Sequence, residues 1–208
     1  MTTIVEIVTP SNPSEGSPTK EDFTPLELKR CLHVGCGLSG REETHHRFRA
    51  PEWAHTRLDI DPEVKPDIVS DIRTLKGVRD DSYDGVYSSH NLEHLHYNDV
   101  FRAIGSFYRV LKDRGVLVVV VPDFGLACEY VSKGHGLKPI YNSPAGPITP
   151  LDMIFGYRPF TEGNPYQQHK TGFTKTWLRN LLVDMGFSGV ETIATDGFDI
   201  WGYGHKIA

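Results

Sequence analysis

The chain contains the stretch Leu32-His33-Val34-Gly35-Cys36-Gly37-Leu38-Ser39-Gly40, an apolar run that stops abruptly in a glycine-rich turn. Glycines let the backbone turn tightly and approach a ligand closely. Asp59 follows at the end of the next predicted strand, where a carboxylate can accept hydrogen bonds from ribose hydroxyls. Together these features predict a strand, a turn and a site for a nucleoside-containing cofactor.

Size and composition indicate a single domain with insertions. The chain has 208 residues, 38% of them hydrophobic, which suffices for one core. Its 27 acidic residues outnumber 22 basic ones, and the formal net charge of −5 disfavours nucleic acid as a partner. The odd number of cysteines without paired metal-ligand spacing (Cys31, Cys36, Cys128) favours a reducing, cytoplasmic compartment over disulfides or structural zinc. No stretch approaches the roughly 18 apolar residues of a membrane span, so none is expected.

The composition also divides the chain into parts. Residues 1–25 are rich in proline and polar residues, which predicts a flexible or draped arm, although the apolar residues 4–8 could form a short strand. The remainder, 26–208, is expected to form one domain. Within it, residues 134–173 combine prolines and glycines with aromatic residues, which predicts a folded lid or acceptor-binding insertion.

From Cys31 onward, short apolar runs alternate with helical segments, a pattern typical of an α/β fold with a mostly parallel sheet covered on both faces. The unbroken apolar run 116–121 suits a buried parallel strand. Asn98 or Asp99 is the expected cap of a helix that runs to about Lys112. The other predicted elements are strands at 31–35, 56–60, 67–70, 83–88, 190–194 and 198–207, and helices at about 124–133, 151–157 and 174–185.

Five motifs occur in order between residues 31 and 123. They are His33-Val34-Gly35-Cys36-Gly37, Leu58-Asp59-Ile60-Asp61, Ser70-Asp71-Ile72, Tyr83-Asp84-Gly85-Val86-Tyr87-Ser88-Ser89-His90-Asn91-Leu92-Glu93-His94-Leu95 and Leu111-Lys112-Asp113-Arg114-Gly115-Val116-Leu117. This series resembles the class I S-adenosylmethionine-dependent methyltransferases, especially the small bacterial type with a Leu-Glu-His-Leu segment after strand four. The resemblance implies a Rossmann-like three-layer sandwich with a mostly parallel seven-stranded sheet and an antiparallel last strand.

The same resemblance implies S-adenosyl-L-methionine as the cofactor and S-adenosyl-L-homocysteine as its product. Asp59 would hold the ribose hydroxyls, and Asp61 is a rival for that role because it lies two residues further on. Asp71 would lie near the adenine amino group and Ile72 against the adenine ring. The full set of implied cofactor-binding residues is Gly35, Cys36, Gly37, Asp59, Ile60, Asp71, Ile72, Ser89 and His90.

The run His90-Asn91-Leu92-Glu93-His94 also matches the H-x-x-E-H pattern of certain zinc proteases, in which two histidines share a metal. Here the run directly follows a predicted strand of the methyltransferase series, and no third ligand is apparent downstream. We therefore predict no metal site. Instead, His90 and His94 are candidate catalytic residues at the acceptor pocket, and each could equally be a packing or helix-start residue.

The lid is the predicted acceptor-binding element because it is rich in aromatic and hydrogen-bonding groups and could close over the reacting sulfonium. His169 is the preferred general base. Tyr157, Arg158, Tyr166 and His169 are the predicted acceptor contacts. The alternative for His169 is a structural hydrogen bond that ties the lid to the core.

The predicted reaction is an in-line displacement that moves a methyl group to an oxygen, nitrogen or other nucleophile of a small molecule or sugar. Two alternatives stay open. Gly35, Gly37 and Gly40 also fit the G-x-G-x-x-G turn of an NAD(P)-dependent oxidoreductase, although the strand-four motif fits a methyltransferase better. The fold could also serve a non-catalytic S-adenosylmethionine-binding sensor or assembly protein. Exposed aromatic residues in the lid leave a homodimer contact open.

Overall fold

The computed structural model describes residues 27–208. The predicted arm, 1–25, and the short strand at 4–8 lie outside the described residues. Seven strands form one sheet in the order β3-β2-β1-β4-β5-β9-β8. The strands are β1 (Lys29–Val34), β2 (Trp53–Asp59), β3 (Ile68–Val69), β4 (Tyr83–Ser89), β5 (Leu111–Pro122), β8 (Phe187–Ala194) and β9 (Asp199–Lys206), with a separate hairpin of β6 (Tyr141–Ser143) and β7 (Gly146–Ile148).

The sheet is parallel from β3 through β5, and β9 runs antiparallel between β5 and β8. This arrangement confirms the predicted Rossmann-like sheet with an antiparallel last strand. The carboxyl ends of β1, β2 and β4 meet at one edge, as the pairing of Val34 with Leu58 and Ser88 shows. Ligands bind at this edge in open α/β sheets.

Alternate residues of β5 face opposite sides of the sheet. Leu117, Val119 and Val121 belong to the larger core, together with buried residues of the helices at 97–110 and 175–184. Residues 116, 118 and 120 belong to a second cluster, which contains Phe48 and Trp53. Burial on both faces explains why β5 is an unbroken apolar run.

The helices are α1 (His46–Arg49), α2 (Tyr97–Val110), α3 (Phe124–Ser132), α4 (Pro150–Phe155), α5 (Arg158–Thr161) and α6 (Lys175–Asp184). The predicted cap of α2 is wrong, because the helix begins after His96 and Asp99 lies in its first turn. The Asp99 carboxylate pairs with Arg73 and Arg102 instead of with the backbone. None of the helices within 27–208 has the length and apolarity needed to cross a membrane.

The segment 134–173 is folded around short elements, the β6–β7 hairpin, α4 and α5. Thr149 and Asp152 form a capping box at the start of α4, with Thr149 Oγ1 donating to Asp152 Oδ2 over 2.6 Å. Ile148 and Met153 bury their side chains against Ala127 of α3. This small core holds the lid against the helix that follows β5.

Candidate active site

The turn after β1 places two glycines in the left-handed region, with φ of +58° at Gly35 and +51° at Gly37. Cys36 between them is buried, and its backbone N–H donates to Leu58 O over 3.1 Å. Arg57 fixes the turn from β2 by donating to the carbonyl of Gly37 over 2.6 Å and of Ser39 over 3.1 Å. The turn is therefore held in place by the neighbouring strand, and sequence reasoning missed this role of Arg57.

Asn91, two residues after the end of β4, supports the same turn. Its amide nitrogen donates to the carbonyls of Val34, over 3.0 Å, and Ser89, over 2.9 Å. A β-carbon added at Gly35 would lie 2.0 Å from Asn91 Oδ1, which is far inside van der Waals contact. Gly35 is required because Asn91 occupies this space. The sequence gives no signal for that contact.

Asp59 closes the turn from the end of β2. Its Oδ2 accepts from Gly37 N over 2.8 Å, and its Oδ1 accepts from Asp61 N over 2.9 Å. The Asp61 carboxylate instead caps the turn that follows, where it accepts from Glu63 N over 2.9 Å. Of the two rival aspartates, Asp59 is the one in direct contact with the glycine turn.

Large apolar side chains are exposed around this edge. Leu38 is 86% exposed, Ile60 52% and Val69 57%. Leu38 lies on the turn after β1, Ile60 directly follows β2, and Val69 is the last residue of β3. A β-carbon built on Gly37 would meet no atom of the described chain within 4 Å. Open space beside a carboxylate and exposed apolar groups fits a nucleoside, which has hydroxyls to bind and a flat apolar base to cover.

Asp71 and Ile72 lie on the loop after β3. Asp71 pairs with Arg73 at 2.5 Å, and this hydrogen-bonded guanidinium holds the pKa of Asp71 below its ordinary value. Ile72 is partly buried against the larger core. Asp71 therefore remains ionised and available as an acceptor, although Arg73 shares its oxygens.

His90 follows β4 in a strained conformation, with φ of +53°, and its backbone N–H donates to Val120 O over 2.9 Å. Non-glycine residues in this region cluster at functional sites. Its side chain lies between two carboxylates, with Nδ1 3.4 Å from Glu93 Oε1 and Nε2 3.7 Å from Asp199 Oδ1. Desolvation opposes charging, but the two carboxylates raise the pKa of His90 above its ordinary value.

Glu93, His94 and His169 form a cluster next to this strained residue. One ligand atom of each lies within 4.8 Å of the other two. His94 Nδ1 contacts the carbonyl of Gln168 at 3.2 Å, and His169 Nδ1 contacts that of Met153 at 2.8 Å. Burial lowers the pKa of His169, so its imidazole is neutral near pH 7. The fold thus unites two of the predicted catalytic histidines with Glu93, which was not among the predicted site residues.

The predicted acceptor contacts are placed differently. Arg158 Nε pairs with Asp152 Oδ1 at 2.7 Å, and Tyr157 donates to the carbonyl of Ala145 over 3.0 Å. Both line a 420 Å³ cavity within the lid, together with Pro139, Pro147, Thr149, Asp152, Pro159 and Glu162. Tyr166 is 70% exposed. Tyr157 and Arg158 are thus engaged by other groups of the segment 134–173, and Tyr166 faces solvent.

Residues 32–119 match the family model described as "Methyltransferase domain". No curated protein matches the sequence. The fold is similar to a SAM-dependent methyltransferase from Methanosarcina mazei, at 16% identity and a TM-score of 0.57, with 87% of this chain and 93% of that chain covered. It is also similar to one from Archaeoglobus fulgidus, at 18% identity and a TM-score of 0.55, with 87% of each chain covered.

A third similar structure is a Burkholderia thailandensis 1,6-didemethyltoxoflavin-N1-methyltransferase with bound 1,6-didemethyltoxoflavin and S-adenosylhomocysteine. Its identity to this chain is 13% and the TM-score is 0.52, with 88% of this chain and 72% of that chain covered. Residues 32–119 carry a methyltransferase domain on a Rossmann-like fold. This part of the chain is thus similar to a methyltransferase domain, and the solved structures show that the chain shares the fold of S-adenosylmethionine-dependent methyltransferases.

Proposed function

We propose that this protein is a methyltransferase that transfers the methyl group of S-adenosyl-L-methionine to a nucleophile of a small molecule or sugar. The cofactor supplies a methyl carbon bonded to a sulfonium, so the protein needs to align an acceptor with that carbon. Where the acceptor is a poorly ionised hydroxyl or amine, the protein also needs to take up or displace its proton.

The glycine turn and Asp59 are the proposed cofactor cradle. The Asp59 carboxylate receives two backbone N–H groups and still has lone pairs on both oxygens for ribose hydroxyls. Ile60 would cover one side of the adenine, and Ile72 and Asp71 would contact its ring and its amino group. Gly35, Cys36 and Gly37 would present their backbone to the amino-acid and ribose part, with Ser89 and His90 at the methionine end.

His90, His94 and His169 are the proposed acceptor-side residues. His90 directly precedes Asn91, whose side chain packs on Gly35, so this histidine lies next to the residue that supports the cofactor turn. A backbone carbonyl can only accept, so the Nδ1 of His169 must carry its proton toward Met153 O. Its Nε2 then keeps a lone pair that can act on the acceptor.

Charge and lid composition support the small-molecule or sugar acceptor. The formal net charge of −5 repels a polyanion. The lid exposes large aromatic side chains, with Phe155 60% exposed, Phe160 52% and Tyr166 70%. Aromatic faces of this kind can stack on rings or sugars. Tyr157 and Arg158 would contact the acceptor from the lid cavity.

The contact of Asp59 with the glycine turn is the observation that carries the cofactor placement, and titration calorimetry tests it. We expect the wild type to bind S-adenosylhomocysteine and not NAD. Asp59→Asn should weaken binding at least about 10-fold, because hydrogen bonds to a charged group contribute about 1.5–3 kcal/mol. Asp61→Asn is the matched control and should bind as the wild type does.

Binding of NAD alone would overturn the proposal, and loss of binding in Asp61→Asn alone would give the ribose role to Asp61. Turnover is tested with labelled cofactor on fractionated metabolites. We expect methyl transfer by the wild type and its loss in His169→Ala. Cofactor binding without transfer to any fraction would favour the sensor or assembly role.

A further inference from the structure

The side chains of Glu93, His94 and His169 converge although they come from two distant parts of the chain. Glu93 and His94 belong to a 3₁₀ turn at 92–94, shortly after β4, and His169 lies near the end of the lid segment 134–173. One oxygen or nitrogen of each lies within 4.8 Å of the other two. Atoms at this spacing could contact one small ion between them.

Both imidazoles are oriented in the way that metal ligands require. His94 Nδ1 and His169 Nδ1 lie against the carbonyls of Gln168 and Met153, which fixes the proton on Nδ1 in each ring. The lone pair is then on Nε2 in both rings. Metal-binding histidines commonly donate their other ring nitrogen to a carbonyl or carboxylate in this manner.

Glu93 provides the second, independent observation. Glu93 is 2% exposed, and within the described chain neither oxygen of its carboxylate takes part in a hydrogen bond. The nearest basic atom is Nδ1 of His90, 3.4 Å from Oε1. A buried carboxylate without hydrogen bonds is costly unless a cation neutralises it.

The surrounding backbone holds the cluster together. The N–H groups of Lys170 and Thr171 donate to Glu93 O over 2.7 and 3.1 Å. Thr171 Oγ1 donates to Leu95 O over 2.7 Å, and Lys170 Nζ donates to His94 O over 3.1 Å. The residues after His169 are thereby fixed to the turn that carries the other two side chains.

We propose that Glu93, His94 and His169 bind a divalent transition-metal cation, and that its open coordination positions bind a hydroxyl of the methyl acceptor. Two imidazoles and one carboxylate form the ligand set of catalytic zinc and non-haem iron sites, which keep positions free. This inference rests on the proposed methyl transfer and narrows the acceptor to an oxygen nucleophile. It also replaces the prediction that no metal binds here.

Methyl transfer to the acceptor oxygen needs no oxidant. With the cation bound, Nε2 of His169 is a metal ligand and no longer acts as the base. The acceptor hydroxyl coordinates the cation, which lowers the pKa of the hydroxyl, and its proton leaves to water. The oxygen lone pair then forms a bond to the methyl carbon as the carbon–sulfur bond breaks. The bonding pair stays on sulfur, which gives S-adenosylhomocysteine and a methyl ether.

The test titrates the full-length protein with Co²⁺, followed by its visible spectrum and by calorimetry, after treatment with a chelator. We expect one equivalent to bind and catechol, a hydroxyl probe, to shift the cobalt spectrum. His169→Asn and Glu93→Gln should each weaken Co²⁺ binding at least about 10-fold. His135→Gln, which alters an exposed histidine outside the cluster, is the control and should leave binding unchanged.

S-adenosylhomocysteine binding is measured on every variant without metal, so that a folding failure is recognised and the two proposals are separated. A protein that binds S-adenosylhomocysteine but shows the same Co²⁺ affinity in wild type and His169→Asn would overturn the metal site alone. Glu93 would then be neutralised by His90. If cobalt binds but catechol does not change its spectrum, the proposal that the cation binds a hydroxyl of the acceptor is wrong. If the wild type does not bind S-adenosylhomocysteine, the proposed function is wrong instead.

Discussion

Replacing Gly35 by alanine should destabilise the fold much more than the same change at Gly37. Both glycines have left-handed backbones, with φ of +58° and +51°. They differ in their surroundings, since a β-carbon at Gly35 would lie 2.0 Å from Asn91 Oδ1, whereas one at Gly37 would meet no atom of the described chain within 4 Å. The pair therefore separates steric overlap from backbone strain.

The magnitude follows from these contacts. A left-handed alanine costs about 1–2 kcal/mol in either position. At Gly35 the β-carbon must also displace the Asn91 side chain, which breaks its hydrogen bonds to Val34 O and Ser89 O. Each such bond contributes about 1 kcal/mol. We expect a loss of about 3–4 kcal/mol in the free energy of unfolding for Gly35→Ala, and of about 1–2 kcal/mol for Gly37→Ala.

Urea unfolding of a double-mutant cycle measures the difference. In an Asn91→Ala background the overlap is gone, so Gly35→Ala should cost only the backbone term, and the coupling free energy between the two positions should be about 2 kcal/mol. Additive effects of Gly35→Ala and Asn91→Ala would refute the steric explanation. Equal losses in the two single glycine variants would refute it as well.

Further predictions concern acid stability, a helix cap and the second core. Burial lowers the pKa of His33 to about 4, so between pH 6.5 and about 4 the unfolded chain binds a proton that the folded chain does not, and stability falls as the pH falls. In the His33→Phe variant, the free energy of unfolding should fall less between pH 6.5 and pH 4 than in the wild type, by up to roughly 3 kcal/mol. Urea unfolding of both proteins at the two pH values measures this difference. Asp123→Ala should cost about 1 kcal/mol, because Asp123 Oδ1 accepts from Leu126 N over 2.9 Å at the start of α3, and an unchanged unfolding midpoint would contradict this cap. Phe48→Ala should lower the free energy of unfolding by about 3–5 kcal/mol, since the ring is fully buried and packs edge-on against Trp53. A loss below about 1 kcal/mol in thermal unfolding would contradict this packing.

The site illustrates how far the sequence reaches. The glycine turn was predictable because a left-handed turn needs glycine. The structure places Asp59 against Gly37, and its ribose role stays a prediction. The support of Gly35 by Asn91 was not predictable from the sequence. An asparagine side chain can form hydrogen bonds with many backbone groups, and the tertiary structure decides which of them lie within reach. Likewise, Arg57 became a turn-holding residue only once β2 lay beside β1.

The cap of α2 shows the same limit on a smaller scale. Asp99 has the side chain of a good helix cap, and the local pattern predicts it as one. Arg73, from the loop after β3, and Arg102 take its carboxylate instead. A long-range ion pair of this kind leaves no local trace in the sequence.

By itself the sequence determined the strands of the seven-stranded sheet, the α/β class and the turn at one edge of that sheet, because these depend on local periodicity and on the conformations that glycine allows. It did not predict the β6–β7 hairpin. Tertiary structure alone decided that β9 inserts between β5 and β8 and that His169 meets Glu93 and His94. The H-x-x-E-H run lacked a third ligand in the sequence because that ligand lies on the lid, far along the chain. Backbone hydrogen bonds from residues 170 and 171 to Glu93 bring it there, and such bonds carry no side-chain signature.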